Sequence, residues 1–204
     1  MGLFITLEGI DGTGKSTQAR LLAERLQGEG RETVLTREPG GAPGAEEIRG
    51  LLLSGDPGRW SPETEILLFT AARRDHVERT LRPALERGAI VICDRYVDST
   101  RAYQGSAGLR ELVDRLHELT IGLDPDLTLV LDMDADSAAR RAAARATPGE
   151  DRFERKGRQT GLRREFLALA AAEPERCHVV NADQPPENLA AEIWQIVAAH
   201  LEPA

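Results

Sequence analysis

The sequence predicts an α/β fold with a five-stranded parallel sheet flanked by helices, and three observations carry that expectation. Five short apolar runs recur along the chain, partly β-branched and apolar on both faces, as strands covered from both sides require. Between them lie segments in which apolar residues return at helical spacing, giving the strand–helix alternation of a doubly wound domain. The 204 residues, 41% of them hydrophobic, can supply one core without a disulfide or metal staple.

In chain order, the first strand falls at residues 3–8 (LFITLE), followed by a glycine-rich turn and a helix over 18–27. Further strands are predicted at 33–36, 89–93, 127–131 and 177–180, and further helices at 45–54, 62–87, 109–123, 137–145, 153–172 and 186–201. Pro62 and Pro186 open their helices, where a missing N–H costs nothing. Residues 146–157 break the pattern with Pro148-Gly149 and a charged run, flanked by arginines at 140, 141, 145, 152, 155 and 158. Together with the preceding helix they read as a short arginine-rich lid over about 137–157. No repeat or linker divides the chain, so 1–204 is expected to form a single domain.

Composition narrows the partners. A formal net charge of −8 argues against a general nucleic-acid or anionic-membrane surface, since either needs a basic patch, though a local cationic pocket is still allowed. No apolar stretch approaches the roughly 20 residues that cross a bilayer. The N-terminus carries no signal-peptide pattern, so a cytoplasmic location is expected. Cys93 and Cys177 lack metal-ligand spacing and sit in apolar runs, where a cysteine behaves as a small buried hydrophobe. Only Lys15 and Lys156 are lysines, which singles out Lys15 inside a glycine-rich turn.

That turn, Gly9-Ile10-Asp11-Gly12-Thr13-Gly14-Lys15-Ser16, matches GxxxxGK[ST] with a strand before it and a helix after it. Gly9, Gly12 and Gly14 let the backbone curl so that its N–H groups, through Thr17, face phosphate oxygens, while the helix that follows presents its positive end. Lys15 is expected on the β- and γ-phosphates of ATP and Ser16 on Mg²⁺. The loop implies a three-layer P-loop NTPase fold and a nucleoside triphosphate site. It does not decide between hydrolysis, a conformational switch and transfer to an acceptor.

The third strand ends in Asp94-Arg95-Tyr96, beside the loop if the sheet is parallel. Asp94 can hold Mg²⁺ through water. Arg95 suits an enzyme that must neutralise a second phosphate close to the first, because its fork matches phosphate geometry. A surface ion pair at a strand end is the plain alternative.

With these residues in place, the sequence resembles the thymidylate kinases, in the P-loop nucleoside monophosphate kinase group. The resemblance rests on LEGIDGTGKST at 7–17, TREPGG at 36–41, LLFTAAR at 67–73, DRYVDSTRAYQG at 94–105 and DRFE at 151–154, in family order. It implies transfer of the ATP γ-phosphoryl group to dTMP and a homodimeric assembly. It places Asp11 on the sugar 3′-hydroxyl, Phe69 on the thymine ring, and Arg73, one turn later on the same face, at the base edge. A core phenylalanine with a solvated arginine is the alternative for that pair. Thr100 takes the pyrimidine-bonding position and Tyr103 the one that crowds the 2′ carbon. Arg37 and Pro39 shape the rim of the monophosphate site, Glu38 binds there or orients an arginine, and Gln104 falls in the sugar or base region.

Transfer requires in-line placement and positive charge around the moving group, with no general base, because the attacking oxygen is already ionised. One branch of the family places an arginine in the loop directly after the aspartate. Here that position is Gly12, so the charge is expected from the lid, from Arg145 and Arg152 first and Arg141 next. The alternative is a solvated helix face paired with Glu150, Asp151 and Glu154. Rival functions are a kinase for another monophosphate or a deoxynucleoside, and a P-loop switch or partitioning ATPase. The second needs a water-positioning carboxylate or glutamine, for which there is no clear candidate.

Overall fold

In the computed structural model, which describes residues 2–56, 58–105, 108–144 and 158–201, five strands form one sheet. They are β1 (Phe4–Glu8), β2 (Thr33–Arg37), β3 (Ile90–Asp94), β4 (Leu127–Asp132) and β5 (Cys177–Asn181). All pairs are parallel and the spatial order is β2-β3-β1-β4-β5. β1 is therefore central, and the loop leaving its carboxyl end opens between the ends of β3 and β4, where parallel α/β sheets bind ligands.

The helices are α1 (Lys15–Gly28), α2 (Pro43–Leu53), α3 (Pro62–His76), α4 (Arg82–Glu86), α5 (Val97–Tyr103), α6 (Arg110–Thr120), α7 (Ala135–Ala143), α8 (Gln159–Ala172) and α9 (Pro186–Leu201). Successive strand residues point to opposite faces. Ile5, Leu7, Ile90 and Ile92 accordingly join one core cluster with residues of α1, α8 and α9. Phe4, Val91 and Cys93 join another with Ile66, Val77, Leu81, Leu85 and Val113. Cys93 and Cys177 are free and buried, as expected. Among the described residues no helix is long and apolar enough to cross a membrane.

Four differences from the sequence reading have physical causes. The helix predicted over 62–87 is interrupted by a π-helical turn at Val77–Leu81. It lies immediately before Arg82-Pro83, where the proline ring crowds the preceding turn and removes one N–H, and a widened turn absorbs both. The strand β2 is not covered on both faces: it is an edge strand, and its Leu35 is 45% exposed. The helix α5 was not foreseen, because VDSTRAY lacks an apolar repeat. The last difference is at element ends: α1 and α2 begin a few residues earlier than predicted, α2 on Pro43 at its first turn. Of the predicted lid, residues 145–157 lie outside the described residues, and so does the start of the helix placed at 153.

Candidate active site

The loop after β1 turns on Gly9, Gly12 and Gly14, with φ of 131°, 88° and 97°. Side chains rarely adopt this left-handed region, and glycine does so without a Cβ penalty. Gly14 is the N-cap of α1, and no side chain caps that helix, so its first N–H groups, through Ser16 and Thr17, face the loop's interior. Lys15 is buried and arches back to donate from Nζ to the Ile10 carbonyl at 2.8 Å. The Thr13 hydroxyl donates to the same carbonyl at 3.0 Å. Burial pushes the Lys15 ammonium down to about 8, the Arg95 charge adds to that, and Asp11, Asp94 and Glu8 oppose it. Ser16 Oγ donates to the Asp94 carboxylate, bringing together the hydroxyl that ends the phosphate loop and the carboxylate that ends β3. Among the described residues no group of three or more His, Cys, Asp or Glu side chains could hold a metal ion. A Ser–Asp oxygen pair beside a phosphate loop fits Mg²⁺, which retains waters and arrives with phosphates, rather than an all-protein cage.

Gly12 has a second constraint besides its backbone angle. A Cβ there would stand 2.0 Å from the Ala138 carbonyl oxygen and 3.1 Å from the Ala142 N, both in α7. The backbone of α7 thus occupies the space any loop side chain would need, an arginine included. At Gly14 nothing lies within 4 Å of such a Cβ. Gly12→Ala is therefore expected to lower the melting temperature of the nucleotide-free protein more than Gly14→Ala. Both variants bear a left-handed backbone cost of roughly 1–2 kcal/mol, and only the first adds an overlap worth about 1–3 kcal/mol. Equal losses in the two thermal melts would remove the α7 contact as the cause.

Beside the loop, Arg95 follows the end of β3 with φ of 70°, and among the described residues it alone of the non-glycines has positive φ. Its Nη1 donates to the Gly9 carbonyl at 3.0 Å and to Ser99 Oγ at 2.9 Å, and its Nη2 donates to the Asp11 carboxylate. The Tyr103 hydroxyl donates to the other Asp11 oxygen at 3.1 Å. Burial raises Asp11, but Arg95 and Lys15 outweigh it and hold the carboxyl well below the usual range. Burial likewise works against the Arg95 charge, and Asp11 leads the neighbours that more than restore it. A permanently charged guanidinium is thus tied directly to the phosphate loop.

The predicted base pocket is gathered on α3, α5 and the segment after β2. Arg73 is 3% exposed, so the solvated alternative does not hold. Its Nε donates to Glu38 at 2.8 Å, its Nη2 donates to Thr100 Oγ1 at 2.9 Å, and its guanidinium lies over the Tyr96 ring at 4.9 Å. Glu38 in turn meets His76 Nδ1 at 2.9 Å, and His76 Nε2 meets Thr36 Oγ1 at 2.8 Å. Since the carboxylate only accepts, Nδ1 carries the proton. Glu38 is thus bonded to an arginine, the contact that one of its two expected roles requires. Phe69 is half-buried one turn before Arg73, and Gln104 is buried with its amide 3.5 Å from Glu65. Exposed Arg37 makes a forked pair with Glu46 at 3.0 and 3.1 Å, and the Pro39 carbonyl accepts from Arg49 at 2.8 Å.

Of the predicted lid arginines, Arg145 and Arg152 lie outside the described residues. Arg141 donates to the Ala182 carbonyl at 3.2 Å and stands 3.6 Å from Asp183, on the loop after β5. Sequence reasoning assigned no role to Glu8, His76 or Ser99, all of which hold the residues above. The only signal for Glu8 is a carboxylate ending an otherwise apolar run. It is fully buried and accepts from Tyr96 N, Ser99 N and Ser99 Oγ. Burial, with the Asp98 charge behind it, pushes its carboxyl up to about 7, while Arg95 pulls the other way.

A protein-family model described as "Thymidylate kinase" matches residues 7–193, most of the chain. The chain belongs to the thymidylate kinase family. It is 59% identical over 204 residues to a protein named thymidylate kinase from Dinoroseobacter shibae, covering 98% of this chain and 96% of that one. It is 58% identical to one of the same name from Ruegeria pomeroyi, with the same coverage. Among solved structures, a thymidylate kinase crystal structure from Ehrlichia chaffeensis is similar with a TM-score of 0.77 at 35% identity, covering 97% of this chain and 98% of that one. Membership of the thymidylate kinase family thus extends over the phosphate loop, the Arg95 turn and the Arg73 pocket alike.

Proposed function

We propose that this chain transfers the γ-phosphoryl group of Mg-ATP to dTMP, giving dTDP and ADP on the route to dTTP. The observation that carries the reading is the tie between Arg95 and the phosphate loop: its guanidinium bonds the Gly9 carbonyl and Asp11, so a second anion-binding group stands beside the first. A hydrolase has no need of that adjacency, and a transferase between two phosphates does. Family membership supplies dTMP as the acceptor.

In this reading the backbone of Gly9 to Thr17 cradles the ATP phosphates and Lys15 contacts the β- and γ-phosphates. Ser16 and Asp94 would hold Mg²⁺, which when bound would neutralise charge on the phosphates. Arg95 bridges the acceptor phosphate. Asp11, kept ionised by Arg95, accepts a hydrogen bond from the 3′-hydroxyl, while Tyr103 crowds the 2′ carbon. Phe69 stacks on thymine, and Arg73 and Thr100 face its edge, with Gln104 nearby and Arg37 and Pro39 at the rim. No proton need be removed by the protein, because the attacking phosphate oxygen is already ionised.

Arg145 and Arg152 from the lid complete the charge around the γ-phosphoryl in place of a loop arginine, which Gly12 cannot supply. Arg145→Ala and Arg152→Ala are each expected to reduce kcat by about 10³-fold with little change in the KM for dTMP. Near-normal turnover in both would remove the lid from the mechanism. The same reading takes the protein as a cytoplasmic homodimer of single-domain subunits. Leu51, Leu67 and Leu119, exposed by 42%, 54% and 76% on α2, α3 and α6, supply apolar contact for it. The test of the function is ADP formation from Mg-ATP across dTMP, dUMP, UMP, AMP and GMP. Turnover with dTMP far above the rest supports it, and ATP consumption indifferent to the acceptor overturns it.

A further inference from the structure

The left-handed backbone at Arg95 calls for a cause, since a side chain there has to be held against steric strain. Two consecutive amides are anchored on two consecutive residues of β1. The Arg95 N–H reaches the Leu7 carbonyl at 3.0 Å, and the Tyr96 N–H reaches Glu8 Oε1 at 2.7 Å. The first of these bonds continues the β1–β3 ladder, and the second, just past the positive φ, turns the chain onto the carboxylate. Glu8 Oε1 also takes the Ser99 N–H at 3.2 Å, tying the first turn of α5 to the same carboxylate. The Cys93 thiol, 3.0 Å from the Arg95 carbonyl, closes the other side of the turn.

The side chains continue the chain of bonds, and donor arithmetic fixes its direction. A serine hydroxyl has one proton. With Glu8 ionised, the Ser99 proton goes to Glu8 Oε2 at 2.6 Å, because a carboxylate can only accept. Ser99 Oγ is left to accept from Arg95 Nη1 at 2.9 Å. The same Nη1 donates to the Gly9 carbonyl, the residue after Glu8, so the ring of contacts returns to where it began.

We propose that Glu8 is a positioning residue for Arg95: its carboxylate holds the turn and polarises Ser99, and so fixes the guanidinium plane against the acceptor phosphate. The inference rests on the proposed reading of Arg95 as a phosphate ligand. Charged groups around Glu8 are Asp98, Arg95 and Lys15, with Arg101 and Arg176 pairing Asp98. A glutamine in place of Glu8 keeps shape but presents an N–H to Ser99, which reverses the bond and leaves the hydroxyl no carboxylate to face.

The test compares dTMP with thymidine, which lacks the phosphate, by calorimetric titration at pH 8. Glu8→Gln and Ser99→Ala are each expected to weaken dTMP about tenfold, the scale of one lost charge-assisted hydrogen bond, and thymidine by less than about twofold. The double variant should bind dTMP no more weakly than Glu8→Gln alone, because both act through one chain of bonds. Unchanged dTMP affinity, equal loss for thymidine, or additive losses would each overturn the proposal. Should Glu8→Gln fail to fold, Ser99→Ala carries the comparison by itself. A wild-type protein that does not prefer dTMP to thymidine refutes the phosphate role of Arg95 and the inference with it. A wild-type preference that both variants retain removes only Glu8.

Discussion

Arg95→Ala should lower kcat/KM for dTMP by about 10³-fold, the scale of a preorganised charge lost from a phosphoryl-transfer site. The guanidinium is bound on three sides, by the Gly9 carbonyl, Ser99 and Asp11, so it reaches the reaction without a reorganisation cost. Its removal has two effects. The acceptor phosphate loses its cation, and Asp11 loses the stronger of the two charges that keep it ionised, so sugar binding weakens as well. Arg95→Lys should recover little, because one ammonium cannot span a carbonyl, a hydroxyl and a carboxylate while facing a phosphate. Steady-state kinetics with dTMP varied settles this, and a loss under about tenfold in Arg95→Ala would exclude a direct role.

The second large effect is expected at Lys15. Lys15→Met removes the loop's only ammonium while filling nearly the same space, and should lower kcat by about 10³-fold or more. The wild-type protein also carries a pH signature of this residue. Burial and Arg95 bring the free lysine to about 8, so as pH rises through that value the ammonium is lost and ATP should bind more weakly. Bound phosphates favour the charged form, so the limb belongs in kcat/KM for ATP and shifts to higher pH in kcat. Lys15→Met should bind ATP weakly with no such limb. A flat wild-type profile from pH 7 to 9 would show that the lysine stays charged despite its burial.

How much of this was legible in the sequence depended on whether a residue's partner is close along the chain. The phosphate loop was fully readable, because glycines that need positive φ, a lysine and a hydroxyl lie within eight residues, between a strand and a helix. The sheet was readable for the same reason: strands buried on both faces show as continuous apolar runs, and the two edge strands, β2 with exposed Leu35 and β5 with exposed Val179, depart from that. Arg73 was not decidable from its helix face alone. Its burial comes from Glu38 after β2 and Thr100 on α5, far away in sequence, and α5 itself has no apolar repeat to announce it. Glu8 was invisible as a functional group because its partner Ser99 lies 91 residues on, and because a carboxylate ending a strand looks like a solvated terminus. The π-helical turn before Pro83 was readable in principle, since a proline inside a helical pattern demands a local solution. The exclusion of any side chain at Gly12 was not, because it depends on where α7 lands.

The central claim is that the two neighbouring anion sites pass a phosphoryl group between bound phosphates instead of to water. The most direct measurement is the fate of label from γ-³²P-ATP with Mg²⁺, with and without dTMP. The expected result is label recovered in dTDP in step with ADP formed, and little release of inorganic phosphate when dTMP is absent. Label appearing chiefly as inorganic phosphate, at a rate that dTMP does not alter, would contradict it.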